Sequence, residues 1–399
     1  MKILVVNAGS SSLKYQVIEM PSQQVKCVGL IERIGFTDAI FNHEKNSDKS
    51  IEVLPILTHE DGLKKISNTL LDHKLGVLQT VDEIKAVGHR VVHGGSKFAK
   101  PTIVTQEVKD SIRSLFDLAP LHNPANLTGI EIAETIFTSA KQIAIFDTAF
   151  HQTMPKIAYQ YAIRNEYLEE QHIRAYGFHG TSHKYVSEKA IEFLGKENAK
   201  KIITVHLGNG CSMSAIKEGK SIENSLGFGP MNGLVMGTRS GDIDQSVIFF
   251  FMKKLNKTAE EVANLLNKES GMLGLTGYSD LREISEKEAH GDINCKHALA
   301  LSAYRIKKYI GAYTSILNGL DAIVFTAGIG ENSAIMRKLA CTDLDFLGID
   351  LDDEKNEIRA SEIREIQSKK AKVKVLVIPT NEEIEIAKQS YLLLNELNL

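Results

Sequence analysis

The sequence lacks the signatures of several protein classes. Its 399 residues carry a net charge of −3, with both signs interspersed, so no surface for nucleic acid is indicated. The four cysteines have no C-x-x-C spacing, which disfavours a zinc site or disulfide framework and favours a reducing compartment. The longest strongly apolar run, residues 247–252, is too short to span a membrane, and residues 3–6 are too short for a signal peptide. We therefore expect a cytoplasmic protein with neither nucleic-acid nor membrane partners.

The common phosphate-binding motifs are absent as well. Residues 219–221 resemble the end of a P-loop, but Ser214 stands where the first glycine belongs. The G-x-G turns at 208–210 and 328–330 lack the third glycine of a dinucleotide fingerprint, and no protein-kinase motif set is present. What remains informative is that each G-x-G turn follows a buried strand.

One short pattern occurs twice, half the chain apart. Residues 2–9 (KILVVNAG) and 201–208 (KIITVHLG) each read as an apolar strand that enters a tight loop of small polar residues and returns as a second strand. Such loops expose backbone N–H groups without bulk, which suits phosphate oxygens. Two unrelated hairpins are the alternative. The matched residues favour a duplicated domain, with the two turns facing one another across a cleft.

Val- and Ile-rich strands alternate with segments of helical period, which predicts an α/β protein. The predicted strands are 84–92, 142–146, 201–207, 321–325 and 373–378, and the predicted helices are 109–116, 127–137, 182–194, 259–267 and 298–317. A chain with 43% hydrophobic residues can form two domains. We place them at 1–150 and 151–381, with the C-terminal helix 382–399 returning to the first.

Two glycine- and serine-rich turns are candidate phosphate sites. Residues 327–332 (AGIGEN) follow a strand and are predicted to open a helix at Asn332, where an anion can bind; a plain strand-to-helix turn is the structural alternative. In the first turn, Lys14 follows Asn7 and three serines, and its ammonium should point toward the loop. A surface lysine on an edge strand is the alternative there.

Two arginines lie in unusual surroundings. Arg90 is inside an apolar strand and needs an anionic partner, either a structural carboxylate or a substrate carboxylate or phosphate. Arg239 lies in a small-residue loop with Asp242 and Asp244, which reads as a salt-bridged turn or as a site.

The carboxylates and histidines have several interpretations. Asp147 ends a buried strand, where it can bind Mg²⁺ through water, act as a base or cap a turn. Glu382 reads as a first-turn acid of the last helix or as an oxygen ligand for Mg²⁺. His179 lies at a helix start, where Thr181 or Ser182 is the expected N-cap. A histidine that donates to a phosphoryl oxygen is favoured over a transition-metal site.

Nine segments in order resemble the acetokinase family of the acetate and sugar kinase, Hsp70 and actin superfamily, and the resemblance covers essentially the whole chain. The segments are 7–14, 88–95, 119–124, 146–155, 179–183, 206–210, 233–244, 328–332 and 379–383. The resemblance implies two duplicated ribonuclease-H-like domains with a nucleotide cleft between them. It also implies ATP/ADP, Mg²⁺, a homodimer and reversible transfer of the γ-phosphoryl group to acetate.

The resemblance also implies roles for particular residues. Asp147, His179 and Arg239 would be catalytic, and Asn7 and Glu382 would hold Mg²⁺. The acid would be bound by Arg90, Val92, Leu121, Phe178 and Pro230. ATP would contact Lys14, His206, Leu207, Gly208, Asn209, Gly210, Asp280, Leu281, Arg282, Gly328, Ile329, Gly330, Glu331 and Asn332.

Three questions stay open on the sequence. Ala327 and Cys211 depart from the family pattern beside the nucleotide site, and Phe228, Met231 and Asn232 depart from it beside Pro230, so propionate kinase is an alternative. A nucleotide-gated binding module of the Hsp70 or actin type is an alternative of another class. Because a carboxylate acceptor is already ionised, we expect Asp147 to hold metal-bound water and orient the acceptor, with an aspartyl phosphate as the alternative.

Overall fold

Two mixed sheets, each built around one copy of the repeated apolar strand, organise the chain. The computed structural model describes residues 1–46, 48–120 and 122–399. These divide into two compact units, Met1–Phe150 with Asn381–Leu399, and His151–Thr380.

In its described residues, the first unit contains an eight-stranded sheet and four α-helices. Its strands are β1 (Lys2–Ala8), β2 (Ser12–Glu19), β3 (Gln24–Glu32), β4 (Phe36–Lys45), β5 (Asp48–Ile56), β6 (Ile84–Val91), β7 (Thr102–Ile103) and β8 (Lys141–Phe146). Its helices are α1 (His59–Leu71), α2 (Gln106–Ser114), α3 (Asn123–Ile136) and, from the C-terminus, α15 (Glu382–Glu396).

The second unit contains a six-stranded sheet and the remaining helices. Its strands are β9 (Lys201–Leu207), β10 (Cys211–Lys217), β11 (Lys220–Asn224), β12 (Ala322–Thr326), β13 (Arg364–Glu365) and β14 (Lys374–Val377). Its helices are α4 (Lys156–Tyr159), α5 (Asn165–Glu169), α6 (Gly180–Leu194), α7 (Gln245–Lys254), α8 (Ala259–Lys268), α9 (Gly271–Thr276), α10 (Leu281–Ala289), α11 (Ile293–Leu317), α12 (Ala327–Asn332), α13 (Ala334–Cys341) and α14 (Asp353–Glu357).

The two sheets repeat one topology, which confirms the predicted duplication. The order β3-β2-β1-β6-β8-β7 in the first unit matches β11-β10-β9-β12-β14-β13 in the second. In each unit the repeated strand pairs antiparallel with the strand that follows it and parallel with a later one, β6 or β12. The carboxyl ends of the parallel strands therefore meet at one edge of each sheet, where ligand sites form in α/β proteins.

Alternation along β1 builds a core on both faces of the first sheet. Leu4, Val6 and Ala8 pack with residues of α1 and α3, whereas Ile3 and Val5 pack with Ile386, Ala387 and Leu394 of α15. This is the two-residue period of a strand buried on both faces. In the second unit, α6 contacts β9 and β12, and α11 contacts β9 and β10.

Most predicted elements are present, but several helices begin earlier than the apolar period indicated. α11 begins five residues before the predicted start because Asp292 caps it, accepting the N–H groups of Asn294 and Cys295. α2 begins after the cap Thr105, and α3 begins beside Pro124. The prediction that a helix opens at Asn332 is wrong: the glycine turn is itself helical, and α13 begins after a new cap, Ser333.

The close contact between β3 and Tyr15 predicts a difference between two glycine substitutions. A Cβ on Gly29 would lie 2.2 Å from the ring of Tyr15, which is fully buried, whereas Gly311 in α11 has open space around it. We expect Gly29→Ala to destabilise the protein by about 1–3 kcal/mol through overpacking. We expect Gly311→Ala to stabilise it by about 0.5–1 kcal/mol through helix propensity. Thermal unfolding checks both, and a loss of stability in Gly311→Ala as large as in Gly29→Ala would contradict the packing argument.

Candidate active site

The first unit brings together polar residues at the carboxyl ends of β1, β6 and β8. Asn7 in β1 lies opposite Lys14 in β2, Arg90 is in β6, and Asp147 directly follows β8. β2 lies between β1 and β3, so Lys14 is not on an edge strand.

Arg90 finds its anionic partner within the protein. Its Nε and Nη2 atoms donate to the same oxygen, Oδ2 of Asp147, at 2.9 and 2.6 Å. Asp147 is 1% exposed. Burial lowers the pKa of the Arg90 guanidinium, but the carboxylates of Asp147 and Glu382 outweigh it and the pKa is raised. Arg90 is therefore a firmly charged group that an anion can reach at the end of β6.

The start of α15 adds two carboxylates to this cluster. Asn381 caps the helix by accepting the N–H of Ile384 at 2.9 Å, and Glu383 forms an ion pair with Lys14 at 2.7 Å. Glu382 forms no ion pair of its own with the described residues. Burial raises the pKa of Glu382, with repulsion from Asp147 and Glu383 added and the attraction of Arg90 opposing. Among the described residues, Arg90 is thus paired with Asp147 and Lys14 with Glu383, whereas Glu382 has no ion pair.

The predicted acid-binding residues are divided between the units. Val92 is buried in the first unit, and Phe178 and Pro230 belong to the second. Leu121 lies outside the described residues. Asn126 was missed on the sequence: its Oδ1 accepts the N–H of Val92 at 3.0 Å, and its Nδ2 donates to the carbonyl of Ala8 at 2.7 Å. The sequence feature that could have indicated Asn126 is a polar residue within the apolar pattern of α3.

In the second unit, a series of side-chain hydrogen bonds fixes the ring of His179. The residue has a left-handed φ of 55° immediately before α6, and its Nδ1 hydrogen-bonds with Oγ of Ser212 at 2.8 Å. His183 hydrogen-bonds with the same hydroxyl through Nε2 at 2.7 Å and with Thr204 through Nδ1. Burial lowers the pKa of His183 well below its usual value, so this ring is neutral. The predicted Thr181 or Ser182 cap is wrong, since His179 itself is the N-cap residue and makes no side-chain cap bond.

His206, predicted on the sequence to contact the nucleotide, packs against His179. Its ring stacks on that of His179 with centroids 4.3 Å apart, and its Nδ1 hydrogen-bonds with Ser182 Oγ at 2.8 Å. Ser182, predicted to be a helix cap, instead orients His206.

Arg239 differs from Arg90 because the protein does not neutralise it. It forms no ion pair with any residue that the structure describes, and its Nη1 donates to the carbonyl of Pro230 at 3.0 Å. Asp242 instead accepts from the N–H of Gly233 and the hydroxyl of Tyr309, both at 2.7 Å, and Asp244 caps α7. The interpretation as a salt-bridged turn is therefore wrong. Burial lowers the pKa of Arg239.

Gly210 marks the place where His179 and Arg239 come together. A Cβ there would lie 3.3 Å from the His179 ring and 3.9 Å from Nη1 of Arg239. A glycine at this position leaves space between a histidine and an unneutralised guanidinium, which suits a phosphoryl group.

Beside this place, the second unit has a cavity of about 930 Å³. Nine of the predicted nucleotide residues line it: Leu207, Gly208, Asn209, Asp280, Leu281, Arg282, Gly328, Ile329 and Asn332. His206, Gly210, Gly330 and Glu331 do not line it, and Lys14 lies in the first unit. Cys211, which the sequence placed beside this site, also lines it, and lining residues that the sequence did not assign to the nucleotide include Val235, Met236, Ser279, Arg337 and Arg359.

Arg337 is a missed residue that supports the cavity wall. It is 1% exposed, and its guanidinium donates to the carbonyls of Gly330 and Glu331 at 2.9 and 3.0 Å and to Asn356. Burial lowers its pKa to about 10. An arginine in the apolar pattern of α13 was the only sequence signal. Ala327, at the start of the same turn, has a φ of 65°, in the region that favours glycine.

Two sheets of one strand order, with small-residue turns at their carboxyl edges, define an α/β protein suited to anionic ligands. The sequence pattern of the Acetokinase family matches residues 2–388. The chain therefore belongs to the Acetokinase family.

Relatives with known names cover nearly the whole chain. The acetate kinase of Flavobacterium johnsoniae is 60% identical over 394 residues, which are 99% of this chain and 100% of the relative. The crystal structure of Porphyromonas gingivalis acetate kinase has a TM-score of 0.92 at 43% identity and covers 98% of this chain and 99% of its own. That of a propionate kinase from Francisella tularensis has a TM-score of 0.92 at 42% identity, with 97% and 98% covered.

A half-buried carboxylate in β11, Glu223, predicts a pH-dependent stability. Burial raises the pKa of Glu223 to about 7, so the native state binds a proton that the unfolded chain releases near pH 4.5. Stability from this residue falls as pH rises from about 4.5 to 7, by up to about 3 kcal/mol. Glu223→Gln keeps an oxygen for the N–H of Asn224 and removes the ionisation. We expect it to raise the unfolding temperature at pH 8 and to change it little at pH 5. An equal change at both values would contradict the shift.

Proposed function

We propose that this protein is an acetate kinase, which transfers the γ-phosphoryl group of ATP to acetate reversibly and forms acetyl phosphate and ADP. Membership of the Acetokinase family and the 60% identity to an acetate kinase support the reaction. The observation that carries the assignment to this site is Arg239, a half-buried guanidinium that no described carboxylate neutralises, next to His179 at Gly210. Phosphoryl transfer spreads negative charge over three oxygens, and such a pair of donors meets that charge.

For the acceptor, we propose that Arg90 binds the carboxylate and that Val92, Leu121, Phe178 and Pro230 surround the methyl group. The pairing of Arg90 with Asp147 supports this. Asp147 accepts from Nε and Nη2 along one edge of the guanidinium, so the remaining N–H donors stay available for an anion. Acetate is ionised at neutral pH, so the reaction requires no general base. A carboxylate oxygen forms a bond to the γ-phosphorus while the bond to the bridging oxygen breaks, and ADP leaves with that electron pair.

The first-unit cluster fits a magnesium ion. Mg²⁺ binds through one or two protein oxygens together with water and substrate phosphates, and the first unit offers a carboxylate and an amide oxygen of this kind. Glu382, the carboxylate without an ion pair, and Asn7 would hold the ion. When bound, Mg²⁺ would neutralise phosphate charge. Asp147, which orients Arg90, would hold metal-bound water rather than become phosphorylated.

For the nucleotide, we propose that ATP occupies the cavity of the second unit. The backbone of Leu207, Gly208 and Asn209 and the turn at 328–332 supply donors without bulk. Asp280, Leu281 and Arg282 line another part of the wall.

The two compact units support the domain assignment made on the sequence, with residues 1–150 and 382–399 in one ribonuclease-H-like domain and 151–381 in the other. Propionate kinase is not favoured, because the more similar relative acts on acetate by name. A nucleotide-gated binding module is not favoured either, because family membership and the uncompensated Arg239 both point to an anionic acceptor.

We further propose a cytoplasmic homodimer. The four cysteines are buried free thiols, which suits a reducing compartment. Phe249 and Phe250 of α7 are 58% and 54% exposed, and burial against a second copy would remove this apolar surface from water.

The acyl pocket predicts a substrate preference. We expect kcat/KM to decrease from acetate to propionate to butyrate, with each methylene costing about 1–3 kcal/mol in a pocket built for a methyl group. Val92→Ala should narrow the ratio between acetate and propionate because it enlarges the pocket. Formation of acyl phosphate from each acid and ATP measures this. A preference for propionate would refute the acetate assignment, and ATP hydrolysis that ignores all three acids would favour the binding module.

The role of Arg239 predicts a loss of rate. Arg239→Ala should lower kcat by about 10²–10³-fold, because the transition state loses a charged donor. Arg239→Lys should recover part of the rate, since it restores the charge without the planar fork. Arg33→Ala is the matched control, because Arg33 forms an exposed pair with Asp38 and should leave kcat unchanged. Wild-type kcat in Arg239→Ala would contradict the assignment.

A further inference from the structure

The segment that joins β14 to α15 is anchored to both glycine turns of the second unit. It consists of Ile378, Pro379, Thr380 and the N-cap residue Asn381, and the chain passes from the second unit to the first immediately after Thr380. Ile378 is held by the sheet, since its N–H donates to the carbonyl of Phe325 at 3.0 Å and its carbonyl accepts from the hydroxyl of Thr326 at 2.6 Å.

The first anchor of Thr380 is Glu331 in the turn at 328–332. Oε1 of Glu331 accepts the N–H of Thr380 at 3.0 Å. The backbone of Glu331 is itself held, because its carbonyl accepts from Nη1 of Arg337 at 3.0 Å and from Nη2 of Arg364 at 2.7 Å. A fixed turn therefore presents a carboxylate to the N–H of Thr380.

The second anchor is Ser182, which connects Thr380 to the other glycine turn. Its Oγ hydrogen-bonds with Oγ1 of Thr380 at 2.9 Å and with Nδ1 of His206 at 2.8 Å. Thr380 thus contacts, directly or through one hydroxyl, residues of both segments that belong to the nucleotide motifs, 206–210 and 328–332.

Glu331 does not have the features of a nucleotide contact. It does not line the cavity, whereas Asn332 beside it does and is exposed. A carboxylate aimed at a polyphosphate would also repel it. Its carboxylate instead accepts the N–H of Thr380, two residues before Glu382, the carboxylate proposed to hold Mg²⁺, and the N–H of Ala327 at the start of its own turn.

We propose that Glu331 is a positioning residue: it fixes Thr380 relative to the nucleotide turn and so sets where α15 and its first-turn carboxylates begin. This inference rests on the proposed function, because it assigns Glu331 to phosphoryl transfer rather than to nucleotide binding. A nucleotide that orders the turn at 328–332 also orders the segment 378–380, which ends immediately before Asn381, the N-cap of α15.

A direct test measures hydrogen exchange without metal or turnover. Exchange of the peptide covering residues 378–384 is followed in EDTA, with and without ADP, in the wild-type protein and in Glu331→Ala. We expect ADP to slow exchange of this segment in the wild type, and Glu331→Ala to exchange faster and to lose the response to ADP. Glu331→Gln should retain most of the response, because its amide oxygen accepts the same N–H. Equal protection in wild type and Glu331→Ala would overturn the proposal.

A kinetic test separates positioning from binding. Glu331→Ala should lower kcat by about tenfold and raise the Mg²⁺ concentration needed for half-maximal rate, while the Kd for ADP in EDTA changes by less than about threefold. Asn332→Ala is the matched control on the same turn, and it should raise that Kd and leave exchange of 378–384 unchanged. If Glu331→Ala does not fold, Glu331→Asp, whose carboxylate is one methylene short, replaces it with the same expectations.

The outcomes of these tests are distinguishable. A raised ADP Kd in Glu331→Ala with unchanged Mg²⁺ dependence would make Glu331 a nucleotide contact and overturn the proposal. Wild-type kinetics in Glu331→Ala would overturn it as well, while acetate-dependent turnover by the wild type would leave the proposed function standing. A wild type without such turnover would refute the proposed function, and the inference with it.

Discussion

The candidate site depends on how the charges of two arginines, Arg90 and Arg239, are compensated. A buried or half-buried guanidinium is costly unless an anion meets it. Arg90 meets Asp147 within the protein, and this pair fixes its orientation at the end of β6. Among the described residues, Arg239 donates to the carbonyl of Pro230 and to the sulfur of Met236 but forms no ion pair, because the nearby aspartates bond with Gly233, Tyr309 and a helix start. The described residues thus contain one oriented, paired guanidinium and one without an ion pair, and both suit anionic ligands.

The duplicated sheet explains why these groups lie where they do. In both units an antiparallel hairpin is followed by parallel strands. The carboxyl ends of these strands, which carry small or polar residues, therefore lie at one edge of the sheet. The corresponding edges of the two sheets carry different residues. The first unit has carboxylates and a paired arginine there, and the second has glycine turns and histidines. The fold supplies the positions, and the side chains at those positions supply the function.

Polar residues behind the site hold it in place. Asn126 joins the loop at Val92 to the end of β1, and Ser212 joins two histidines. Arg337 holds the turn at 328–332, and Glu331 of that turn accepts the N–H of Thr380. Each satisfies groups that would otherwise be buried without partners. Such support reduces the reorganisation that a reaction requires, since the donors already have their orientation before substrate binds.

The sequence by itself determined the α/β class, the duplication and the family, because apolar strands followed by small-residue turns are local patterns and nine motifs occur in one order. It placed helix starts too late where caps such as Asp292 lie outside the apolar period. Only the tertiary structure decided that Arg90 is paired, that Arg239 is not, and that Glu331 contacts Thr380. Ion pairs and hydrogen bonds of this kind join residues far apart in the chain, and their distances depend on how the sheets and helices pack rather than on any local pattern.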